Sequence, residues 1–264
     1  MIPYPVIERV FRISFGNSQG SCFAIEYDDR QYLITAAHCV KGIRDTDEIQ
    51  IWRAKEWTPL KVGVVGIDYG KDIAVLAASE QMCFAYGVQL GLRGLCLGQD
   101  VFFVGFPFGL SVPSLVPAGA VDNKYPIPIV KKATVAALPM NATPADVVLD
   151  GINNRGFSGG PVIFQMRGDT TIENGIVLRR YRVAGIVSGY IMTDEPVQME
   201  GKSLKPTVAE NTGLIKVVNI SRAMRMIVEK PIGAAISKAD SPYAKEDGLR
   251  KHRYSEPAPN HWFE

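Results

Sequence analysis

Histidine is scarce in this chain, which has only three among its 264 residues: His38, His252 and His261. Cysteine is scarce as well, and the spacing of its four residues matches no zinc-binding template. The formal net charge is only +2, so nothing in the charge favours a nucleic-acid partner. We therefore expect no metal, no cofactor and no nucleic acid to take part in the function.

Long apolar runs are also missing, and no stretch approaches the length of a membrane span. The first five residues, M-I-P-Y-P, lack the basic start, the apolar centre and the cleavage site of a signal peptide. These absences predict a cytoplasmic protein with reduced thiols and no membrane partner.

Residues 155–161, R-G-F-S-G-G-P, form the most informative segment that is present. Glycine on both sides lets the backbone turn sharply and present the hydroxyl of Ser158. The N–H groups of Gly156 and Ser158 are then placed to bind an oxyanion during acyl transfer. The alternative is a tight turn between two strands with no chemical role.

Two upstream motifs complete this pattern. His38 ends the apolar run Y-L-I-T-A-A-H, and Asp72 opens a second apolar run, D-I-A-V-L. His252 and His261 lie in a polar tail, where we expect solvated surface residues. The order histidine, aspartate, serine is one of three chain orders in which the serine-hydrolase triad occurs.

T-A-A-H-C around His38, D-I-A-V-L at Asp72 and G-F-S-G-G-P around Ser158 resemble the chymotrypsin-like (trypsin-fold) serine peptidases. Residues 20–25, G-S-C-F-A-I, and residues 104–109, V-G-F-P-F-G, resemble the bacterial Deg-type (high-temperature-requirement) branch of that family. The resemblance covers about residues 10–229.

The resemblance implies a role for each residue of the triad. Ser158 would attack the scissile carbonyl, His38 would take its proton, and Asp72 would orient the imidazole. Ser188 matches a serine beside the triad aspartate, although an ordinary serine at a strand end is an equal alternative.

The resemblance also implies a substrate-binding surface made of Ile152, Ser188, Gly189, Tyr190 and Gly213. Ile152 takes the base of the primary specificity pocket and Tyr190 one of its walls, which predicts a small or medium apolar residue before the cut. The loops 112–125 and 194–212 are able to reshape this cleft.

Phe157 departs from the digestive enzymes of the family, which carry aspartate before the nucleophile. In those enzymes a freshly cleaved N-terminus pairs with that aspartate. Phenylalanine cannot make this ion pair, so we expect no activation by N-terminal trimming.

The cysteines are interpreted as four buried free thiols, with a Cys22–Cys39 disulfide as the alternative. Cys39 matches a common half-cystine position of the family. The usual partner position falls near Gly20 instead of Cys22.

Strand-like alternation recurs through most of the chain, with turns rich in glycine and proline between the runs. Together with the resemblance, this pattern implies an all-β fold of two antiparallel six-stranded β-barrels with the active site between them, plus a short C-terminal helix. The predicted boundaries are 6–85 for the N-terminal barrel and 95–230 for the C-terminal barrel and helix. Residues 81–98 are predicted to be a linker, and 231–264 a polar, mobile tail.

The resulting prediction is a serine endopeptidase that acts on polypeptide substrates. A catalytically silent protease fold that binds proteins is the alternative from another class. An esterase of the α/β-hydrolase type is disfavoured, because its serine precedes its histidine. The sequence leaves the oligomeric state open.

Overall fold

A computed structural model describes residues 2–85, 87–112, 125–138, 146–173, 176–199 and 202–236. The chain begins with a short helix, α1 (Tyr4–Ile7), and then forms a closed six-stranded antiparallel barrel. Its strands are β1 (Val10–Phe15), β2 (Ser18–Tyr27), β3 (Arg30–Thr35), β4 (Glu48–Arg53), β5 (Glu56–Asp68) and β6 (Ile73–Ala78). They follow the order β1-β2-β3-β6-β5-β4, and β4 closes the barrel on β1.

The second barrel is formed by six strands and closes where β11 pairs with β12. These strands are β8 (Asp100–Gly105), β9 (Ile129–Ala137), β10 (Val147–Asp150), β11 (Pro161–Glu173), β12 (Ile176–Met199) and β13 (Lys202–Asn219). A seventh strand, β7 (Gln89–Leu90), pairs in parallel with β12 and lies within the predicted linker.

The continuous apolar run that follows Asp72 forms a fully buried strand. All six residues of β6, I-A-V-L-A-A, are buried, because this strand lies between β3 and β5 with its side chains in the core. The apolar cluster of the first barrel also includes Val104, Phe106 and Ile163 of the second half. The two barrels are therefore packed against each other through continuous apolar surface.

The segment 194–212 is the main difference from the predicted secondary structure. It was expected to be a loop, but β12 continues to Met199 and β13 begins at Lys202, so the two strands form a long antiparallel hairpin. Of the other predicted loop, residues 113–124 lie outside the described residues.

The helix α2 (Ser221–Glu229) follows β13 and buries Ala223, Met224 and Ile227. Two antiparallel six-stranded barrels with a short C-terminal helix were predicted from the sequence, and this fold is confirmed. In the part of the chain that the structure describes, no helix has the length and apolarity needed to span a membrane.

The first residues of the predicted tail contact the first barrel. Ile232 packs against its apolar cluster, Ala235 forms a β-bridge with Arg30, and the Ile236 N–H donates to the Asp29 carbonyl at 2.9 Å. Residues 237–264 lie outside the described residues, so their predicted mobility stays a prediction, as do the domain boundaries.

The four cysteines are free thiols, as predicted, but only Cys22 and Cys39 are buried. Cys83 is half-buried and Cys96 is exposed, so the expectation of four buried thiols was wrong for these two. A Cβ atom built on Gly20 would lie 2.5 Å from Cys39 Sγ. Gly20 is thus the residue that faces Cys39, which explains why Cys39 has no disulfide partner there.

Candidate active site

His38 and Asp72 come from the first barrel. His38 lies in a short 3₁₀ turn, Ala37–Val40, directly after β3, and Asp72 immediately precedes β6. Because β3 and β6 are neighbours in the barrel, the two side chains meet at one end of this strand pair. Asp72 has φ = 59°, a left-handed conformation that aspartate tolerates better than most residues.

The Asp72 carboxylate accepts hydrogen bonds from three groups. His38 Nδ1 lies 2.8 Å from Oδ2 and 3.0 Å from Oδ1, and the His38 backbone N–H donates to Oδ1 at 2.9 Å. Ser188 Oγ donates to Oδ2 at 2.6 Å from the second barrel. This arrangement fixes the imidazole ring and leaves its Nε2 atom free of the carboxylate.

The same contacts shift the pKa of Asp72 and the pKa of His38. Burial alone would raise the pKa of Asp72, but the hydrogen bonds from His38 and Ser188 outweigh burial and lower it. The pKa of His38 is raised to about 10. The hydrogen bond to Asp72 contributes most to this shift, and a hydrogen bond with Cys39 contributes next. The aspartate therefore stays ionised while the imidazole becomes a stronger base.

Ser158 lies on the turn that leads into β11 of the second barrel. The Ser21 N–H donates to the Ser158 carbonyl at 2.8 Å, and the Gly159 N–H donates to the Val187 carbonyl at 2.7 Å. Ser158 Oγ lies 3.4 Å from the Ser188 carbonyl, at the long end of the hydrogen-bond range. In the described part of the structure, Ser158 Oγ makes no hydrogen bond to His38.

Every carbonyl from Ile152 to Ser158 accepts a hydrogen bond, and this is the main structural feature of the loop. The donors to these carbonyls, taken from residue 152 to residue 158, are Lys131 Nζ, Asn211 Nδ2, Phe157 N, Phe108 N, Ser21 Oγ, Gly160 N and Ser21 N. In a planar trans peptide the N–H points opposite to the C=O, so a fixed carbonyl also fixes the amide of the next residue.

The amides of Gly156 and Ser158 have no hydrogen-bond acceptor among the described residues. Gly156 has φ = +104°, and a Cβ atom there would lie 2.2 Å from the Phe106 carbonyl oxygen. Only glycine fits this position, both for its backbone conformation and for the space available. Both amides belong to peptides whose carbonyls are hydrogen-bonded, those of Arg155 and Phe157, and two N–H groups fixed in this way suit the binding of an anionic oxygen.

The predicted specificity residues lie around this loop. Ile152 is 65% exposed, and Tyr190 and Gly189 lie on β12 directly after Ser188. Cβ atoms built on Gly189 and Gly213 would meet no atom within 4 Å, so both glycines border open space. The predicted roles of Ile152, Gly189, Tyr190 and Gly213 in binding substrate stay predictions.

The sequence interpretation missed two residues that hold the loop. Lys131 is not among the candidate residues of the sequence analysis, yet its Nζ atom donates to the Ile152 carbonyl and to Asn154 Oδ1. Ser21 was noted only as part of the G-S-C-F-A-I strand, yet it contacts two residues of the loop. Neither lies near the loop in sequence, so no local signal marked them.

Phe157 is fully buried, and its ring packs edge-on against Phe103 with centroids 4.7 Å apart. The Lys131 ammonium lies 6.0 Å from the Phe157 ring centroid. An aromatic ring therefore fills the position beside the nucleophile. No cluster of three or more metal-ligating side chains occurs within the described ranges.

Comparison with known proteins identifies the family. The family profile "Trypsin-like peptidase domain" matches residues 20–169, more than half of the chain. The chain therefore belongs to the trypsin-like peptidase family. It is also 27% identical over 147 residues to "Protease Do-like 1, chloroplastic" of Arabidopsis thaliana, which agrees with the predicted Deg-type resemblance.

Solved structures show the same fold. The serine endoprotease from Yersinia pestis matches with a TM-score of 0.52 and 15% identity, over 87% of this chain and 67% of that one. The Rv3671c protease of M. tuberculosis H37Rv, as an inactive Ser-to-Ala mutant, matches with a TM-score of 0.51 and 16% identity. That match covers 86% of this chain and 88% of the other.

The match to the chloroplast protein covers 55% of this chain but only 30% of that relative. The chain thus spans less than a third of the curated relative's length.

Proposed function

We propose that this protein is a serine endopeptidase that cleaves polypeptides through Ser158, His38 and Asp72. The observation that best supports this is the pair of short contacts from His38 Nδ1 to both oxygens of Asp72, 2.8 and 3.0 Å, on the inter-barrel surface that also carries Ser158. A neutral imidazole held through Nδ1–H exposes a basic Nε2, which is the atom a nucleophilic serine requires.

In the proposed reaction, Ser158 turns about its Cα–Cβ bond from the Ser188 carbonyl toward His38. His38 Nε2 takes the hydroxyl proton as Oγ attacks the scissile carbonyl carbon. The new oxyanion accepts hydrogen bonds from the free amides of Gly156 and Ser158. His38 then gives its proton to the leaving amine, and water hydrolyses the acyl-enzyme by the same steps.

The substrate is proposed to be a polypeptide in extended conformation beside Ser188, Gly189 and Tyr190. Gly213 and Ile152 would border the pocket for the residue before the cut, with a small or medium apolar side chain preferred. A cytoplasmic location remains a prediction from the sequence.

Labelling with a fluorophosphonate probe tests the proposal, because the probe reacts with an activated serine hydroxyl much faster than with an ordinary one. We expect a covalent adduct on Ser158 in the wild-type chain and none in Ser158→Ala, detected by peptide mass spectrometry. A folded wild-type protein that takes up no probe and cleaves no peptide library would instead support a silent, protein-binding protease fold.

A further inference from the structure

Three successive peptide groups of the catalytic loop are each held by one hydrogen bond to the carbonyl. Phe108 N–H donates to the Arg155 carbonyl at 2.7 Å, and Gly160 N–H donates to the Phe157 carbonyl at 2.8 Å. These two peptides carry the free amides of Gly156 and Ser158. The carbonyl of the peptide between them is held by a side chain, since Ser21 Oγ donates to the Gly156 carbonyl at 2.7 Å. The N–H of this middle peptide, from Phe157, makes a longer bond of 3.3 Å to the Asn154 carbonyl.

Ser21 is fully buried and lies on β2, in the first barrel. Its single hydroxyl proton goes to Gly156, while its oxygen accepts from the Phe106 N–H at 3.0 Å. The hydroxyl thus links the first barrel with the end of β8 and with the catalytic loop of the second barrel.

The surrounding backbone leaves room for this hydroxyl. A Cβ atom on Gly105 would lie 2.6 Å from Ser21 Oγ, and a Cβ atom on Gly159 would lie 2.1 Å from the Ser21 carbonyl oxygen. The Ser21 carbonyl also accepts from Thr35 Oγ1 at 2.7 Å, which fixes the residue on its own barrel. The side chain that holds the middle peptide is therefore itself rigidly placed.

We propose that Ser21 is a positioning residue for the oxyanion hole. By holding the Gly156–Phe157 peptide, it sets the relative orientation of the two flanking peptides whose amides bind the oxyanion. Of the three hydrogen bonds to the carbonyls of residues 155–157, only the bond from Ser21 Oγ comes from a side chain. A substitution at Ser21 can therefore remove it without changing the backbone. The inference deepens the proposed function and rests on it for its catalytic consequence.

The test compares Ser21→Ala with wild type and with Ser14→Ala in the full chain. Ser14 serves as control because its hydroxyl donates to the Ser18 carbonyl within the β1–β2 hairpin and does not touch the loop. We expect Ser21→Ala to lower kcat about tenfold or more with little change in KM, since outright loss of one oxyanion donor lowers kcat by about 10²–10³. Inhibition by a peptidyl boronic acid, whose tetrahedral adduct occupies the hole, should weaken in parallel.

Amide hydrogen exchange of residues 151–160 provides a readout that does not depend on activity. We expect faster exchange in this segment of Ser21→Ala, with the remaining barrel segments unchanged and Ser14→Ala equal to wild type. Unchanged kcat and exchange, or faster exchange throughout the chain, would overturn the positioning role. Absence of fluorophosphonate labelling in the wild type would refute the proposed function instead, while the exchange data would still decide whether Ser21 holds the loop.

Discussion

Ser188 Oγ of the second barrel donates a hydrogen bond of 2.6 Å to Asp72 Oδ2 of the first. The same carboxylate oxygen lies 2.8 Å from His38 Nδ1, so one atom joins the imidazole to the opposite barrel. The orientation of His38 therefore depends on how the two barrels pack. This couples the ionisation of the site to the tertiary fold.

The pH dependence follows from this coupling. The pKa of His38 is raised by Asp72, and a raised pKa means that the neutral, proton-accepting imidazole forms only at higher pH. We expect the acidic limb of kcat/KM to lie above pH 6.5, the ordinary histidine value, while Asp72 stays ionised because its pKa is lowered.

NMR titration of His38 in the Ser158→Ala chain measures this directly. Replacing Asp72 by Asn should move the midpoint to lower pH, because the carboxylate that stabilises the imidazolium is gone. A His38 midpoint at or below pH 6.5 with Asp72 intact would show that Asp72 does not raise the pKa of His38.

Substitutions in the proposed triad should not be additive. Ser158→Ala should lower kcat by about 10⁴-fold or more and leave the melting temperature nearly unchanged, because the change is small. His38→Ala should have a similar effect, and the double variant should be no worse than either single one. Steady-state kinetics with an apolar-site peptide checks this, and full activity in either single variant would refute the mechanism.

Lys131 and Lys132 form a matched pair for testing how the loop is held. Lys131 Nζ donates to Asn154 Oδ1 at 3.1 Å and to the Ile152 carbonyl, whereas Lys132 makes a surface ion pair with Asp100 at 2.8 Å. Lys131→Met should lower kcat/KM by roughly tenfold, since hydrogen bonds to charged groups contribute about 1.5–3 kcal/mol. Lys132→Met should change it little. Equal effects of the two substitutions would show that only surface charge matters.

Activity should not require N-terminal processing. Phe157 is buried against Phe103 and has no carboxylate to pair with a new ammonium, and the loop carbonyls are already bonded to groups of the intact chain. Protein with an N-terminal tag, untagged protein and trimmed protein should therefore turn over a peptide at similar rates. Intact mass spectrometry verifies each form, and activity confined to the trimmed protein would reveal a zymogen.

Two truncated chains should show which residues after α2 contribute to the stability of the fold. A chain ending at Ile236 should melt like the full chain, because the contacts of Ala235 with Arg30 and of Ile236 with Asp29 are kept. A chain ending at Lys230 loses the packing of Ile232, worth about 1–2 kcal/mol, and should melt several degrees lower with kcat preserved. Equal melting temperatures for the two truncations would show that residues 231–236 add no stability.

The length of β12 and β13 shows where sequence patterns fall short. Strand-like alternation recurs on both sides of residues 194–212, and strands occupy both sides in the structure. The polar, proline-containing segment between them reads as a loop by local composition, yet its backbone pairs across the hairpin. Cross-strand pairing satisfies backbone groups regardless of side-chain pattern, so alternation alone cannot define where such strands end.

The sequence by itself determined the fold class, the family and the proposed catalytic residues His38, Asp72 and Ser158. The all-β class depends on strand alternation, and the proposed residues on a glycine-rich turn and on polar residues at the ends of apolar runs. The family depends on the resemblance of these short motifs to a known family. Only the tertiary structure decided which groups hold the catalytic loop. Ser21 and Gly156 lie 135 residues apart, and Lys131 and Asn154 lie 23 apart. The first contact arises because the two barrels pack against each other, and the second because β9 and β10 are neighbours in the second barrel. A single sequence carries no local signal for which residues then meet.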